Sequence, residues 1–193
     1  MAADEAKVRY RPVADSAILV PMIGAAVVGI MADDVFSEAV MFASFIACFA
    51  VWRTVSDAVV VTACAILVFG AVLGWGLNFY DRIWWYDDAA HFTFSLVASM
   101  AVARVMIPKM RAETVAFILT GIWLAWLGVG SLWEIGEWTA DRLQNTHHSR
   151  GYADTMMDMI LNTTGSAIGV VLYWRFLRTP VDEASIIEFD PQR

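Results

Sequence analysis

The sequence AVVVTACAILVFGAVLGWGLN, residues 58–78, contains no charged side chain from its first residue to its last. A helix needs about 20 apolar residues, rising about 1.5 Å each, to cross the hydrocarbon core of a bilayer. The stretch therefore predicts a transmembrane helix, and the rest of the chain decides whether that helix stands alone.

Five further apolar segments surround it, and all are long enough, or nearly so, to span a bilayer. The six segments are 16–31, 36–52, 58–78, 88–107, 114–138 and 154–177, with a tight turn at Asp33 and Asp34 between the first two. The composition is also that of a membrane protein, with 59% hydrophobic residues, nine Trp and a mean hydropathy of +0.58. We expect an all-α, polytopic integral membrane helix bundle of about six transmembrane helices.

The ends of the chain are more polar. We predict a cytoplasmic N-terminal segment over 1–15, a six-helix transmembrane domain over 16–178 and a disordered, acidic cytoplasmic tail over 179–193. No small-residue cleavage site follows the first apolar segment, which favours an uncleaved transmembrane helix over a signal peptide.

Orientation is predicted from the distribution of Lys and Arg, which favour the cytoplasmic side. On the six-span topology one side holds Lys7, Arg9, Arg11, Arg53, Arg104, Lys109, Arg111, Arg175, Arg178 and Arg193, and the other holds Arg82, Arg142 and Arg150. This bias places both termini in the cytoplasm and the loops at 79–87 and 139–153 outside. Tyr and Trp crowd the predicted outer boundary as an interfacial belt would.

Several classes of function are disfavoured. A net charge of −7 does not suit a nucleic-acid partner. Cys48 and Cys64 lie in apolar segments and are predicted to be buried thiols, without metal-ligand or disulfide spacing. The sequence has no P-loop, no H-E-x-x-H, no G-x-S-x-G and no dinucleotide fingerprint.

Polar residues recur at helical spacing near the outer ends of the last three segments. They are Asp87-Asp88-x-x-His91, Glu134-x-x-Glu137-x-x-x-Asp141 and Asp154-x-x-x-Asp158-x-x-x-Asn162. Counting about 20 residues outward from the inner end of each segment brings the three groups to one layer, with Asn162 about one turn deeper. Ionisable groups at such a depth are costly and mark functional sites by default.

The chemistry of this layer is that of a cation site. Up to five carboxylates with one imidazole cannot all ionise at close range unless a cation joins them, so either several are protonated or a metal is bound. Oxygen ligands with one imidazole suit Mg²⁺, Mn²⁺, Fe²⁺ or Zn²⁺. The predicted ligands are Asp88, with Asp87 as the alternative at that position, and His91, Glu134, Glu137, Asp154, Asp158 and Asn162; Glu137 and His91 are the candidate proton-transfer residues.

Simpler interpretations compete for some of these residues. Asp87, Asp88 and Asp154 lie at helix starts, where acidic residues cap helices. His147 and His148 are predicted to be an exposed loop pair. Two small-residue motifs, Gly70-x-x-x-Gly74 and Gly165-x-x-x-Gly169, are typical of close helix packing.

These ordered motifs, together with Tyr80-Asp81-Arg82, Leu132-Trp133 and Asn162-Thr163-x-Gly165, resemble the YjdF-type inner-membrane proteins of bacteria. The resemblance covers about residues 58–175. It implies a multi-pass protein of the bacterial inner membrane with a shared polar site facing the periplasm, in a family of unknown function.

Three functions fit the sequence. The first is a metal-binding protein that hydrolyses or transfers a lipid or lipid-linked substrate. The second is a cation- or proton-coupled transporter. The third is an accessory or structural subunit of a larger membrane complex. Membrane lipid is the expected surrounding partner, and a homo-oligomer is a further alternative.

Overall fold

The computed structural model describes residues 2–107 and 115–177, with side chains from residue 12 onward. Helices are α1 (Ala2–Met31), α2 (Val35–Thr54), α3 (Ala58–Gly76), the short α4 (Phe79–Arg82), α5 (Tyr86–Met106), α6 (Val115–Gln144) and α7 (Tyr152–Leu172), which ends in a π-helical turn (Tyr173–Leu177). The predicted tail 179–193 and the predicted inner-side cations Lys109, Arg111, Arg178 and Arg193 lie outside the described residues.

The all-α prediction is confirmed. Six helices, all except α4, are long and apolar enough to cross a membrane, and the described part of the chain contains no strand. The candidate spans run over Pro12–Met31, Val35–Thr54, Ala58–Gly76, Tyr86–Met106, Val115–Gln144 and Tyr152–Leu177.

Local chemistry sets the helix ends. Asp34 caps α2, since its carboxylate accepts the Ser37 backbone N–H at 2.9 Å. Asp57 caps α3 in the same way through the backbone N–H groups of Val59 and Val60. Asn145 adopts a left-handed conformation (φ 56°) directly after α6, as residues that end helices often do.

Helix α6 is longer than predicted. The sequence placed its end at residue 138, where the apolar pattern stops, whereas the helix continues to Gln144. Hydropathy marks the membrane boundary and not the end of the hydrogen-bond ladder, and Arg142, Leu143 and Gln144 are all good helix formers. Helix α1 likewise extends back to Ala2 through the predicted N-terminal segment.

The helices form two groups of three. Helices α1, α2 and α3 share an apolar cluster around Ile18, Met41 and Val61, and Cys48 is buried there as predicted. Helices α5, α6 and α7 share a second cluster around Ala103, Leu119 and Tyr173.

The closest packing between two helices is that of α5 with α7. A methyl group on Gly165 would collide with the backbone carbonyl of Phe92, and one on Gly169 with that of Leu96. The Gly165-x-x-x-Gly169 motif therefore lets the two backbones approach as predicted. This contact fixes the depth and rotation of Asn162 and Asp158, which lie one and two turns before Gly165 on α7.

The α1–α2 turn, residues 77–85 and the α6–α7 loop (145–151) lie together at one end of the bundle, which we call the polar end. The backbone N–H of Val35, at the start of α2, donates to Oε1 of Gln144, the last residue of α6, at 2.7 Å. This hydrogen bond joins the two groups of three helices at the polar end. Asp141 holds the loop itself, accepting from the Thr146 hydroxyl and from the backbone N–H groups of His148 and Ser149.

Candidate functional site

Three ligand-type side chains converge just inside the polar end. His91 lies on α5 one turn after Asp87, and its Nε2 is 3.6 Å from Asp87 Oδ1. Across the α5–α7 contact, the same Nε2 is 3.8 Å from Asp158 Oδ1. One ligand atom from each residue lies within 4.8 Å of the others. We call Asp87, His91 and Asp158 the Asp–His–Asp group.

The group is largely removed from solvent. The side chain of Asp158 is 1% exposed, and those of His91 and Asp87 are 11% and 13% exposed. Both carboxylate oxygens of Asp158 are buried without a hydrogen-bond partner among the described residues. An ionised carboxylate buried in this way is costly unless a cation or a proton compensates it.

Asn162 orients the imidazole from its other side. Its Nδ2 lies 3.1 Å from His91 Nδ1, and its Oδ1 accepts a 2.6 Å hydrogen bond from the Ser95 hydroxyl. Gly130 of α6 makes room for this amide, since a methyl group there would press on it. Asn162, a predicted metal ligand, thus lies behind the histidine ring and outside the Asp–His–Asp group.

The two glutamates of α6 lie nearby but outside the Asp–His–Asp group. Glu137 is 8% exposed, and its Oε1 accepts a 2.7 Å hydrogen bond from the Trp133 indole. Glu134 is 5% exposed, with Thr155 beside it, yet neither of its oxygens has a hydrogen-bond partner of ordinary geometry among the described residues. The structure thus adds a second buried, uncompensated carboxylate to the layer.

Arg150, in the α6–α7 loop, is the cation of the site, and it was not among the predicted site residues. Its Nη1 lies 2.7 Å from Asp87 Oδ2, and its Nη2 donates to the Tyr80 carbonyl at 2.7 Å. The sequence identifies Arg150 only as one of three basic residues on the predicted outer side of the membrane. Its contact with Asp87 depends on the path of the loop, which spacing does not encode.

Two further predicted ligands, Asp154 and Asp88, lie outside the Asp–His–Asp group. Asp154 lies in the first turn of α7, where its Oδ2 accepts the Arg150 backbone N–H at 3.2 Å, so the capping interpretation suits it better. Asp88 is not part of the close group, and Asp87 takes the place that was assigned to it. Asp87 is one full turn from His91, which puts it directly below the imidazole.

His148 corrects another prediction. His147 is exposed as expected, but His148 packs against the rings of Phe36 and Trp75, each with its centroid at 5.2 Å. Its Nε2 lies 3.3 Å from Asp34 Oδ1. The loop therefore makes a partly buried aromatic contact with α2 and α3, and only His147 is exposed.

Electrostatics at the polar end follow from these contacts. Burial alone would raise the pKa of Asp34, but the side-chain and backbone hydrogen bonds from Ser37 and the neighbouring His148 lower it below 3.8. Burial and then the charge of Asp87 raise the pKa of the Tyr80 phenol above its usual value of 10.0. Tyr80 is therefore a neutral hydrogen-bonding group at physiological pH.

A cavity of about 960 Å³ lies between the two halves of the bundle. Asp87, His91, Glu137 and Asn162 form part of its wall. Arg150 and His148 line it at the polar end, while Phe94 and Trp126 line it deeper in the bundle. Part of the Asp–His–Asp group is thus accessible to a small molecule from inside the protein.

Comparison with known proteins identifies a family and a relative of this chain. A family described as "Predicted membrane protein (DUF2238)" matches residues 16–179. A Thermotoga maritima protein, itself described as an uncharacterized protein, is 33% identical over 103 residues, covering 49% of this chain and 50% of the relative. The chain thus spans about half the length of this relative. No solved structure matches.

Proposed function

Since the chain belongs to the DUF2238 family of predicted membrane proteins, we propose from the chemistry of its site that it binds a divalent cation at the Asp–His–Asp group. The observation that carries this proposal is Asp158. Its two buried oxygens have no hydrogen-bond donor among the described residues, and one of them faces an imidazole nitrogen. A cation at that point would compensate the charge.

The donor set fits such an ion. Asp87 and Asp158 offer carboxylate oxygens and His91 offers Nε2, which suits Mg²⁺, Mn²⁺, Fe²⁺ or Zn²⁺ and not a thiolate-preferring metal. Asn162 would hold the ring by its other nitrogen, as is usual for metal-bound histidines. Arg150 would hold Asp87 in place.

We further propose that the site hydrolyses or transfers a lipid-like substrate. A bound divalent ion would supply a Lewis acid for the ester, and water or the acceptor of the transferred group would be the nucleophile that displaces the leaving alcohol. Glu137 lies on the cavity wall with one oxygen anchored by Trp133, which leaves the other to accept or donate a proton. His91 was the other candidate for proton transfer, but as a ligand it would position the ion instead.

A second candidate is a cation- or proton-coupled transporter. It is favoured by Glu134, a buried carboxylate without a hydrogen-bond partner in the described part of the chain, because such groups relay ions in membrane proteins. Flux of protons or cations into proteoliposomes, reduced by Glu134→Gln, would support this function over hydrolysis. A role as an accessory subunit or a homo-oligomer would be supported by co-purification with a partner or a second copy.

The proposed location is the bacterial inner membrane, with both termini in the cytoplasm and the polar end facing the periplasm. The Lys and Arg distribution supports this orientation. Metal and substrate would then reach the site from the periplasm or from the adjacent leaflet.

Thermal unfolding of the purified protein in detergent tests metal binding. The protein is first treated with chelator and then given Mg²⁺, Mn²⁺ or Zn²⁺. An ion that binds only the folded state stabilises it by roughly 2.7 kcal/mol at a hundredfold excess over its Kd. The stabilisation should weaken as the pH falls, since protons compete for the same oxygens. If no ion shifts the melting temperature and elemental analysis finds no metal, the proposal is wrong.

A further inference from the structure

We propose that the cavity binds a phospholipid of the adjacent leaflet whose headgroup carries both a phosphate and a primary amine, that is, a lipid of the phosphoethanolamine class. The inference rests on the proposed metal site and names its substrate class. Three features of the cavity support it: its depth, the exposure of its deep end and the charges at its mouth.

The depth of the cavity matches one leaflet. Along α3 its lining extends from Gly76, at the polar end, to Ile66. Ten residues of helix rise about 15 Å, which is half of the roughly 30 Å hydrocarbon core. On α2 the lining likewise extends from Asp34 inward to Ser44. An amphiphile lying in the cavity with its headgroup at the polar end would lie at the same depth as the lipids of the adjacent leaflet.

The deep end of the cavity is apolar and open on its side. Ile66, Phe94 and Val129 line it, yet their side chains are also 60%, 44% and 47% exposed on the apolar surface of the bundle. In a membrane that surface contacts lipid tails, so a chain can enter laterally from the bilayer. A water-soluble substrate would have no use for such an opening.

The mouth of the cavity carries more acid than base. Asp33 and Asp81 line it with exposed side chains and no ion pair among the described residues. Asp34 and Asp87 add two carboxylates, against the guanidinium of Arg150 and the imidazoles of His147 and His148. A purely anionic headgroup would meet repulsion here, whereas an ammonium group complements Asp33 and Asp81.

The two halves of a phosphoethanolamine headgroup therefore find different partners. The phosphate would lie toward the Asp–His–Asp group with its proposed cation and toward Arg150, both of which favour phosphate oxygens. The amine would point outward to Asp33 and Asp81. A volume of about 960 Å³ lies near the top of the range for small-molecule sites, about 300–1,000 Å³, so it suits a headgroup and part of one chain.

Native mass spectrometry of the full-length protein tests the inference. The detergent-purified protein is mixed with Mn²⁺ and with equal amounts of dioleoyl phosphatidylethanolamine and dioleoyl phosphatidylglycerol. We expect the amine lipid to be retained at least fivefold over the glycerol lipid. The paired variant Asp33→Asn/Asp81→Asn should bring the ratio to near one, whereas Glu38→Gln, an exposed acid outside the cavity, should not.

A blocking variant tests the place of binding. Ser44→Phe would fill the deep end of the cavity and should remove retention of both lipids. Ala39→Phe, on the exposed opposite face of the same helix and outside the cavity lining, is the matched control and should retain them. If Ser44→Phe does not fold, Val129→Trp enters the same space from α6.

The outcomes separate this inference from the metal proposal. Stabilisation by Mn²⁺ without lipid retention, or with equal retention of the two lipids, overturns the lipid inference and leaves the metal site standing. Retention of the amine lipid in both Ser44→Phe and Val129→Trp, each shown to be folded, also overturns it, since the lipid would then lie elsewhere. Selective retention with no metal effect in any assay would refute the metal site alone.

Discussion

The side-chain amide of Asn162 lies 3.1 Å from Nδ1 of His91, on the opposite side of the ring from Asp87 and Asp158. Because Ser95 donates to Asn162 Oδ1, the amide nitrogen donates to Nδ1. In a neutral imidazole the ring proton is then on Nε2, facing the carboxylates. A cation that binds Nε2 must displace this proton to Nδ1, and the amide must turn so that its oxygen accepts it.

Metal affinity should therefore depend on Asn162 although it lies outside the Asp–His–Asp group. Asn162→Ala removes the acceptor that Nδ1–H needs and should weaken metal binding roughly ten- to a hundredfold. Asn162→Asp keeps an acceptor and should stay within a few-fold of wild type. Isothermal titration with Mn²⁺ in detergent measures both. Thr164→Ala, an exposed residue on the same helix, is the control, and equal affinity of Asn162→Ala and wild type would contradict the orienting role.

Asp158→Asn should change stability in opposite directions with and without metal. In chelator at alkaline pH it removes a buried charge that lacks a hydrogen-bond partner among the described residues, which should raise stability by about 1–2 kcal/mol. In saturating metal it removes a ligand, so the variant should lose the stabilisation that the ion gives wild type. Melting curves under both conditions check the sign. A variant less stable than wild type in chelator would show that Asp158 is already compensated without an ion.

Some of this site could be predicted from the sequence, because depth along a helix follows from counting residues. The counts brought His91, Glu134 and Asp158 to one layer, and the apolar pattern gave six spans. Depth does not fix rotation: Asp87 and Asp88 differ by about 100° around α5, and only packing of α5 on α7 selects Asp87.

The contributions of the α6–α7 loop could not be predicted at all. Arg150 reaches Asp87 and His148 reaches Asp34 across more than 60 residues of sequence, along a path set by hydrogen bonds to Asp141. Neither contact has a periodic signal. The role of Asn162 was also out of reach, since counting placed it at the right depth but could not tell which ring nitrogen it would meet.

Close packing of α5 on α7 should not tolerate a methyl group at Gly165. The added carbon would collide with the Phe92 carbonyl, a backbone atom that cannot turn away, so Gly165→Ala should lose about 1–3 kcal/mol. The substitution should also weaken metal binding, because Asp158 lies two turns before Gly165 on the same helix. Gly128→Ala adds its methyl group to open space and should be neutral or slightly stabilising. Thermal unfolding of both variants makes the comparison, and equal losses would argue against a helix-specific contact.

Acid should remove the contribution of Asp34 to stability. Its pKa is lower in the folded protein than in the unfolded chain, so its stabilisation is complete above the unfolded value of about 3.8 and is lost as the pH falls below that value through the folded pKa. Asp34→Asn can still cap α2 but cannot titrate. The melting temperature of wild type should exceed that of the variant at about pH 5, and the difference should shrink below about pH 4. A difference independent of pH would mean that the carboxylate charge is not stabilising.

Cysteine labelling should place the two ends of the bundle on opposite sides of the membrane. In a protein with Cys48 and Cys64 replaced by Ala, we would introduce Ser56→Cys in the α2–α3 turn or His147→Cys in the α6–α7 loop, both exposed. Three candidate spans, α3, α5 and α6, separate the two positions, so they must face opposite compartments if each span crosses once.

The Lys and Arg distribution further predicts that His147→Cys reacts with an impermeant maleimide in intact cells, while Ser56→Cys reacts only after permeabilisation. The reverse pattern would keep the six spans but turn the polar end, and the proposed metal site with it, toward the cytoplasm. Labelling of both from one side would contradict the spans themselves.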